Sequence, residues 1–254
     1  MSRTLIVTRP RAQVADWLAR LAAEGVAAVS LPLIDIGPGE PGAAAAAWLQ
    51  LASGARLAVF ASPNAVAAFF AAQPPGAHWP ADALAACVGP GSAAALAAAG
   101  VPDAQIVAPP LDAASFDSEQ LWTQLDAHDW QGARVLLLRG DGGREWLADR
   151  LRERGAQTAA FTVYRRLPPR LDAAERDLMA AALARPRAHA WLLSSSEAVG
   201  HLAALLPSGA TLAGQCALAT HERIAHAARA AGFGPVVPTR PDAAAVAAAY
   251  RALV

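Results

Sequence analysis

The sequence predicts an α/β fold of parallel sheets with helices on both faces, and it predicts that this architecture is built twice. Along all 254 residues, short apolar runs of strand length alternate with longer segments whose apolar residues follow helical spacing. Such alternation is typical of parallel sheets, in which each crossover helix covers one face of the sheet. The duplication is visible in residues 17–25 (WLARLAAEG), which resemble residues 146–155 (WLADRLRERG).

The repeated segment has the same layout in both copies. A short apolar run leads into a turn that contains Arg9 in the first copy and Arg139 in the second, and the helix ends at Gly25 or Gly155. Glycine is the preferred residue just after a helix because it adopts left-handed backbone angles without a steric penalty. The offset between the two arginines, and between the two glycines, is 130 residues by subtraction, which is the size of a domain.

The elements of the first half follow from apolar runs and from the turn residues that bound them. Ser62 and Pro63 begin one helix, because Ser is a favoured N-cap and Pro a favoured first helical residue. Gly and Pro dominate residues 37–42, which we interpret as a domain boundary. The strands are predicted at residues 4–8, 29–36, 57–60, 85–88 and 105–108. Five helices are predicted: one that ends at Gly25, one over residues 43–52, one that follows Ser62, one that ends at Gly100 and one from residue 115 to about 125.

The second half contains the second copy of the repeat and then returns to the earlier pattern. Residues 134–138 predict a strand, residues 139–143 (RGDGG) a turn, and residues 161–164 a second extended run. Leu167-Pro168-Pro169 marks another boundary. The later segments match the first half in order, with strands at residues 190–193, 217–220 and 236–238, each followed by a helix.

The charged residues exclude several classes of function. The formal net charge is +0, so no nucleic-acid-binding surface is indicated. All 21 basic residues are arginines. A Schiff-base lysine and the lysine of a phosphate-binding loop are therefore excluded.

The two cysteines and the apolar segments indicate the cellular location. Cys87 and Cys216 each lie beside an apolar run of strand character, so we expect buried free thiols, which suit a reducing cytoplasm. The N-terminal residues lack the layout of a signal peptide, and the longest apolar runs are interrupted by Gly, Pro or Gln. We therefore expect a cytoplasmic protein without a membrane span.

Candidate site residues follow from the topology. In parallel α/β sheets, ligands bind beyond the carboxyl ends of the strands, where free amides at helix N-termini favour anions. The turns at that position are rich in hydroxyl groups, glycine and arginine, a composition suited to carboxylate or phosphate ligands. They are Thr8-Arg9, Ser62, residues 89–92, residues 115–118, residues 139–143, residues 194–196 and Thr220-His221.

Several familiar motifs are weak or missing. Residues 88–94 (VGPGSAA) imitate half of a dinucleotide fingerprint, but the acidic residue required after the next strand is missing. The RGDGG turn has neither the Lys nor the Ser/Thr of a Walker loop. His221 and His226 are five residues apart, which places them on different helical faces and disfavours a metal site. No Gly-x-Ser-x-Gly segment provides a serine nucleophile.

Two assignments stay open at the level of the residues alone. Tyr164 is either a half-buried strand residue or a phenol at a cleft, where it could donate a proton at neutral pH. Ser62, Ser195 and Ser196 are either plain N-caps or ligand contacts, and the two roles can coexist.

Seven short motifs occur in a particular order over nearly the whole chain. They are residues 5–10 (LIVTRP), 60–66 (FASPNAV), 88–92 (VGPGS), 116–119 (FDSE), 138–144 (LRGDGGR), 163–165 (VYR) and 195–199 (SSEAV). In composition, order and spacing they resemble the motifs of the uroporphyrinogen-III synthase family.

The resemblance implies two similar flavodoxin-like parallel-sheet domains, one of them discontinuous, joined by a two-stranded linker. The discontinuous α/β domain would comprise residues 1–30 plus 170–254, and the inserted α/β domain residues 38–162. Residues 31–37 and 163–169 would be the linker strands. Because a two-stranded ladder is marginal by itself, the linker is expected to act as a hinge.

The resemblance also implies an activity. The family cyclises hydroxymethylbilane, a linear tetrapyrrole polycarboxylate, with inversion of the last pyrrole ring and loss of water. We therefore expect a lyase of haem biosynthesis that works as a monomer, without a cofactor or metal and without a nucleic-acid or membrane partner. Spontaneous closure gives the uninverted isomer, so the task of the enzyme is mainly geometric. The alternative is a noncatalytic two-lobed protein that binds an anionic ligand.

Roles for individual residues follow from the same resemblance. Tyr164 would be the catalytic residue that assists departure of the substrate hydroxyl. Amides at helix N-termini and arginine side chains would hold the acetate and propionate groups. The substrate-binding residues would be Arg9, Ser62, Ser92, Arg139, Gly140, Ser195 and Thr220.

Overall fold

The computed structural model describes residues 3–113, 115–142 and 145–253. Two compact units divide the described chain. The discontinuous unit contains the residues up to Asp35 together with those from Leu167 onward, and the continuous unit runs from Ile36 to Arg166. Gly143 and Arg144, which close the predicted RGDGG turn and the LRGDGGR motif, lie outside the described residues.

Strands and helices alternate along the chain. In order they are β1 (Thr4–Val7), α1 (Arg11–Ala23), β2 (Ala28–Ser30), β3 (Asp35–Pro38), α2 (Ala43–Ala52), β4 (Leu57–Phe60), α3 (Pro63–Ala71), β5 (Leu84–Cys87), α4 (Pro90–Ala98), β6 (Ile106–Val107), α5 (Ser118–Leu125), β7 (Arg134–Arg139), α6 (Trp146–Glu153), β8 (Gln157–Thr162), β9 (Tyr164–Leu167), α7 (Ala173–Ala184), β10 (His189–Leu193), α8 (Ser196–Leu205), β11 (Cys216–Ala219), α9 (Glu222–Ala230), β12 (Val236–Pro238) and α10 (Ala243–Arg251). Two short 3-10 segments, Asp103–Gln105 and Pro186–Ala188, precede β6 and β10.

Each unit contains one parallel five-stranded sheet, which confirms the α/β fold. The strand order is β12-β11-β10-β1-β2 in the discontinuous unit and β6-β5-β4-β7-β8 in the continuous unit. All of these neighbouring strands pair in parallel. β1 therefore has the same place in its sheet as β7 has in the other, which is the internal repeat that the sequence predicts.

Each of the two sheets has one switch point, the place where its strand order reverses. Counted along the chain, the strands of the discontinuous unit lie in the order 2-1-3-4-5, the flavodoxin-like arrangement. The strand order reverses between β1 and β10, and the equivalent position in the continuous unit lies between β4 and β7. Ligands of doubly wound sheets bind at the carboxyl ends of the strands beside such a point.

Alternate residues of each strand pack on opposite faces of the sheet. In β10, Trp191 and Leu193 belong to a core formed with α7, α8 and α9, while Ala190 and Leu192 belong to the core formed with α1 and α10. The continuous unit is layered in the same way, with α2, α3 and α4 covering one face and α5 and α6 the other. Burial on both faces explains why these strands are continuous apolar runs rather than alternating ones.

Helix ends are where local sequence signals are most informative. Gly25 and Gly155 follow α1 and α6 with φ of 73° and 85°, so both adopt the left-handed backbone that favours glycine. Ser62 is the N-cap of α3, since its hydroxyl accepts a hydrogen bond from the Ala65 N–H, and Pro63 is the first helical residue. Both predictions are confirmed.

Two predicted strands are divided in the structure. The extended run at residues 161–164 is wrong as a single strand, because β8 ends at Thr162 and Tyr164 begins β9. β3 and β9 form a separate two-stranded sheet. The strand predicted at residues 29–36 is likewise split between β2 and β3, and the residues between them are held by hydrogen bonds from Leu31 and Leu33 to the backbone that ends β1.

A close backbone crossing explains one glycine of the Gly/Pro-rich segment. A Cβ atom on Gly39 would lie 2.1 Å from the Thr162 carbonyl oxygen and 2.7 Å from the Tyr164 nitrogen. Only glycine allows this approach, and the Glu40 N–H then donates to the Thr162 oxygen at 2.8 Å. The sequence indicated a turn here but not the strand crossing.

The expectations from composition concern the thiols and the membrane. Cys87 ends β5 and Cys216 begins β11, and both are buried and free. Burial raises the pKa of the Cys87 thiol to about 11, so this side chain behaves as a small apolar residue. Among the described residues, no helix is long and apolar enough to cross a bilayer.

Candidate functional site

Tyr164 lies at the switch point of the continuous unit. Ser62 follows β4 and Gly140 follows β7, so these two residues mark the carboxyl ends of the strands on either side of that point. The Ser62 hydroxyl donates a hydrogen bond to the Tyr164 hydroxyl oxygen at 3.0 Å. The structure therefore brings together three of the residues that the sequence singled out.

Tyr164 is a strand residue, and its interpretation as a proton-donating phenol at a cleft stays a prediction. Its ring belongs to the apolar core beneath α2, α3 and α4, and the side chain is only 5% exposed. Its hydroxyl nevertheless reaches the strand ends, where it meets the N-cap of α3. The residue is thus a buried strand tyrosine whose polar end is at the edge of the sheet where ligands bind.

Gly140 provides the space in which the phenol lies. A Cβ atom at this position would be 2.8 Å from Cζ of Tyr164 and 3.1 Å from its hydroxyl oxygen. No side chain fits there without moving the ring. Gly140, which the sequence predicts to bind substrate, is therefore also needed to leave room for the Tyr164 ring.

Asp141 fixes the strand that carries Tyr164, and sequence reasoning missed it. Its Oδ1 accepts the backbone N–H of Arg166 at 3.0 Å, and the Arg166 guanidinium donates to the Asp141 carbonyl oxygen at 3.0 Å. These bonds tie β9 to the turn after β7. The signal was present in the RGDGG turn, but the partner on β9 lies 25 residues away in sequence.

Arg139 and Ser92, two further predicted substrate contacts, differ in their partners and in their exposure. Arg139 is the last residue of β7, and its guanidinium forms an ion pair with Glu145, so a substrate carboxylate has to share or displace that partner. Ser92 lies in the first turn of α4 with only 4% of its surface exposed. Their roles as substrate contacts stay predictions.

The discontinuous unit has its own switch point, marked by Arg9. The residue follows β1, and its guanidinium carbon lies 4.1 Å from the centre of the Trp17 ring. Nη1 donates to Oε1 of Gln13 at 3.3 Å, while Nε is buried without a hydrogen-bond partner among the described residues. A delocalised cation stacked on an indole is well placed to receive a planar carboxylate.

Burial changes the charge properties of Arg9. Desolvation, followed by the nearby charge of Arg20, lowers the pKa of the Arg9 guanidinium to about 10, and Asp16 opposes the shift. The group stays charged at neutral pH. A partly buried cation of this kind gains more from an anionic ligand than an exposed arginine does, because it has already lost part of its hydration.

Ser195 follows β10, the neighbour of β1, and Thr220 follows β11, the next strand of the same sheet. Ser195 is the N-cap of α8, with its hydroxyl accepting the Glu197 N–H at 3.2 Å. Thr220 follows β11, and the next residue, His221, caps α9 through Nδ1. The two N-termini offer free amides for an anion, and the substrate roles of Ser195 and Thr220 stay predictions.

The described side chains show no constellation for a metal ion. Within residues 3–113, 115–142 and 145–253, no group of three or more His, Cys, Asp or Glu side chains is arranged to bind one.

A family model decides the relationship of the chain to known proteins. The model described as uroporphyrinogen-III synthase HemD matches residues 15–248. The chain belongs to the uroporphyrinogen-III synthase family. A uroporphyrinogen-III synthase from Salmonella typhimurium (strain LT2) is 32% identical over 173 residues, which cover 68% of each chain.

Solved uroporphyrinogen III synthases share the fold. A mutant enzyme from the extremely thermophilic bacterium Thermus thermophilus superposes with a TM-score of 0.60 at 19% identity, covering 99% of this chain and 98% of that one. The enzyme from Helicobacter pylori 26695 gives 0.57 at 17% identity, with the same coverage. The uroporphyrinogen-III synthases are lyases of haem biosynthesis, and the comparisons give no support to the noncatalytic binding alternative.

Proposed function

We propose that the chain cyclises hydroxymethylbilane, with inversion of the last pyrrole ring, to give uroporphyrinogen III and water. The observation that carries the proposal is the buried phenol of Tyr164, which is hydrogen-bonded to Ser62 and packs against Gly140 at the ends of β4 and β7. A phenol in that place can protonate a departing hydroxyl. Membership of the family supplies the substrate class.

The first step is loss of the substrate hydroxyl as water. The C–O bond breaks as the lone pair of the adjacent pyrrole nitrogen moves into the ring system, and Tyr164 gives its proton to the departing oxygen. The substituted carbon of the last ring then attacks the methylene-pyrrole cation that has formed, using the electrons of its own pyrrole ring. The resulting spiro intermediate fragments and recloses with that ring inverted.

The remaining task of the enzyme is to hold the flexible chain for the inverting attack. Spontaneous closure gives the uninverted isomer, so a correct geometry has to be imposed before closure occurs. The carboxylates of the substrate are the groups by which the protein can bind and orient it. Arg9, stacked on Trp17, and the amides at the N-termini of α3, α4, α8 and α9 are suited to bind them.

The domain division, oligomeric state and cellular location that we propose are those expected from the sequence. We propose residues 1–30 plus 170–254 and residues 38–162 as the two domains, with linker strands at residues 31–37 and 163–169. The two-stranded sheet of β3 and β9 supports this division. A monomer in the cytoplasm is the proposed working form, and the free, buried cysteines support a reducing compartment.

Isomer analysis tests the proposal directly. Hydroxymethylbilane is generated in situ, the purified protein is added, and the oxidised products are separated into type I and type III uroporphyrin by chromatography. Dominant type III is the expected result. Type I alone, from a sample whose fold is verified by circular dichroism, would overturn the proposed activity.

A further inference from the structure

We propose that Ser62 is a positioning residue that acts through Tyr164, rather than a direct contact of the substrate. The inference rests on the proposed function, because it assigns Ser62 a part in the loss of the substrate hydroxyl. Its basis is the geometry at the N-terminus of α3, where one serine hydroxyl is used by two partners of the same unit.

Both hydrogen-bonding functions of Ser62 are in use. Its oxygen accepts the Ala65 N–H at 3.3 Å, and its proton is donated to the Tyr164 oxygen at 3.0 Å. A serine hydroxyl carries a single proton. In the arrangement in which Ser62 donates to Tyr164, a substrate carboxylate, which only accepts hydrogen bonds, has no proton to receive from Ser62.

The same bond holds the Tyr164 hydroxyl in place. In the arrangement in which Ser62 donates to the Tyr164 oxygen, the phenol proton points away from Ser62 and is available to a departing hydroxyl. The ring cannot turn away, since it is packed in the core on one side and against Gly140 on the other.

Ser62 also stabilises the charge that forms on the phenol. When Tyr164 gives up its proton, its oxygen becomes negative in a side chain that is only 5% exposed. The Ser62 donor then faces an anion, and the nine-residue helix α3 presents its positive end through the same residue. Water covers little of the side chain, so this stabilisation comes from the protein.

The proton balance closes over one turnover. Tyr164 protonates the departing oxygen, which leaves as water, and the pyrrole system takes up the positive charge. When the macrocycle closes, the pyrrole carbon of the last ring that forms the closing bond loses its proton, and the phenolate accepts that proton. Ser62 keeps its own proton throughout, which is why its role is to position and stabilise.

A double-mutant cycle tests this assignment. Four proteins are compared: wild type, Ser62→Ala, Tyr164→Phe and the double variant. We expect Ser62→Ala to lower kcat by roughly tenfold with little change in KM, because a hydrogen bond to a developing charge is lost. In the Tyr164→Phe background, the same substitution is expected to change kcat by less than about twofold.

The ratio of isomers gives a second readout in the same samples. Spontaneous closure runs at a fixed rate, so a slower enzyme allows a larger fraction of type I product. Type I should therefore rise in Ser62→Ala and reach the same level in Tyr164→Phe and in the double variant. Effects of the two substitutions that multiply would overturn the proposal, as would a Ser62→Ala variant that changes KM alone.

Two further variants separate the hydroxyl from the helix cap. Ser62→Thr keeps the hydroxyl and should retain near wild-type kcat. Ser62→Gly keeps a favourable N-cap without a hydroxyl, and it should behave as Ser62→Ala even if the alanine variant folds poorly. Wild-type kcat in Ser62→Gly would contradict the proposal. If wild type forms no type III product, the proposed function fails, whereas multiplicative effects in an active enzyme overturn only the role of Ser62.

Discussion

Gly140 is the residue whose replacement most directly tests the position of the phenol. An added methyl group would be 2.8 Å from the Tyr164 ring, so Gly140→Ala has to displace the ring while leaving its hydroxyl intact. We expect turnover to fall by about 10- to 100-fold, because small misplacements of catalytic groups have effects of that size. Steady-state kinetics with isomer analysis provides the measurement.

Gly200→Ala is the matched control for this substitution. Gly200 lies within α8, and a Cβ atom there meets nothing within 4 Å. Alanine at a helix interior should leave turnover unchanged and slightly raise the melting temperature. Equal turnover in Gly140→Ala and wild type would show that the position of the Tyr164 ring is not important for the reaction.

Arg9 leads to a different expectation, because it is proposed to bind rather than to react. Arg9→Gln removes a stacked cation whose Nε has no hydrogen-bond partner among the described residues. We expect KM for hydroxymethylbilane to rise by roughly 10- to 100-fold with a much smaller change in kcat. Arg9→Lys should recover only part of the loss, since an ammonium cannot offer a planar fork.

Arg20→Gln serves as the comparison for Arg9. Arg20 also lies over the Trp17 ring, at 5.4 Å, but its side chain is 48% exposed. Its removal should leave KM unchanged near neutral pH, where Arg9 is charged in either case. A KM that rises equally in both variants would indicate a general electrostatic effect of the surface rather than a site at Arg9.

Residue types could be predicted from the sequence better than their partners. Tyr164, Ser62 and Gly140 were singled out from motifs and turn chemistry, and the structure places them in contact. Asp141 and Gly39 were missed because their roles depend on β9, which pairs across a long stretch of sequence. Such non-local contacts leave no periodic signal in a single chain.

Helices and buried strands were the predictable elements. Caps such as Ser62 and glycines such as Gly155 act over a few residues, so their signals are local. Strand ends were less predictable, as the split between β8 and β9 shows. An apolar run indicates burial, but it does not indicate that successive residues pair in different sheets.

The ion pair between Arg11 and Glu175 joins the starts of two helices and leads to a pH prediction. Arg11 at the start of α1 makes two hydrogen bonds to Glu175 in the first turn of α7. The hydrogen bond from Arg11 is the main cause that lowers the pKa of Glu175, and the Asp172 N–H adds to it. A depressed carboxyl pKa contributes stability above the unfolded value of about 4.3, and this contribution is lost as pH falls through the folded pKa.

Arg11→Gln should therefore destabilise the chain at pH 7 but not at acid pH. The expected loss is below about 1 kcal/mol, because the Arg11 side chain is 53% exposed and its charge is screened by solvent. Urea unfolding at pH 7 and at about pH 3 measures the difference between variant and wild type. Arg20→Gln, which removes the exposed pair with Asp16, should show no such dependence, and an equal loss at both pH values in Arg11→Gln would contradict the prediction.

The order of strands explains how the whole molecule is assembled from two copies of one plan. The strand–helix–strand segment at the switch point opens the discontinuous unit as β1 and β2, and it closes the continuous unit as β7 and β8. The two units are thus circular permutations of each other. The internal repeat in the sequence was sufficient to predict the duplication, whereas the division of one unit followed from the family resemblance.

Independent folding of the continuous unit is the prediction at this largest scale. Residues 36–166 form a five-stranded sheet with an apolar core on each face, and both cores are composed of residues from within that range. A compact unit with its own core should fold alone. The fragment should unfold cooperatively on heating, and the fluorescence of its tryptophans, among them the buried Trp48 and Trp130, should report the transition. The same fragment with Leu136→Asp, which places a charge in the core, should show no transition. The fragment without this substitution should form no type III uroporphyrin, because it lacks Arg9 and the N-termini of α8 and α9. A fragment without a cooperative transition would mean that this sheet needs the other unit to fold, despite having a complete core.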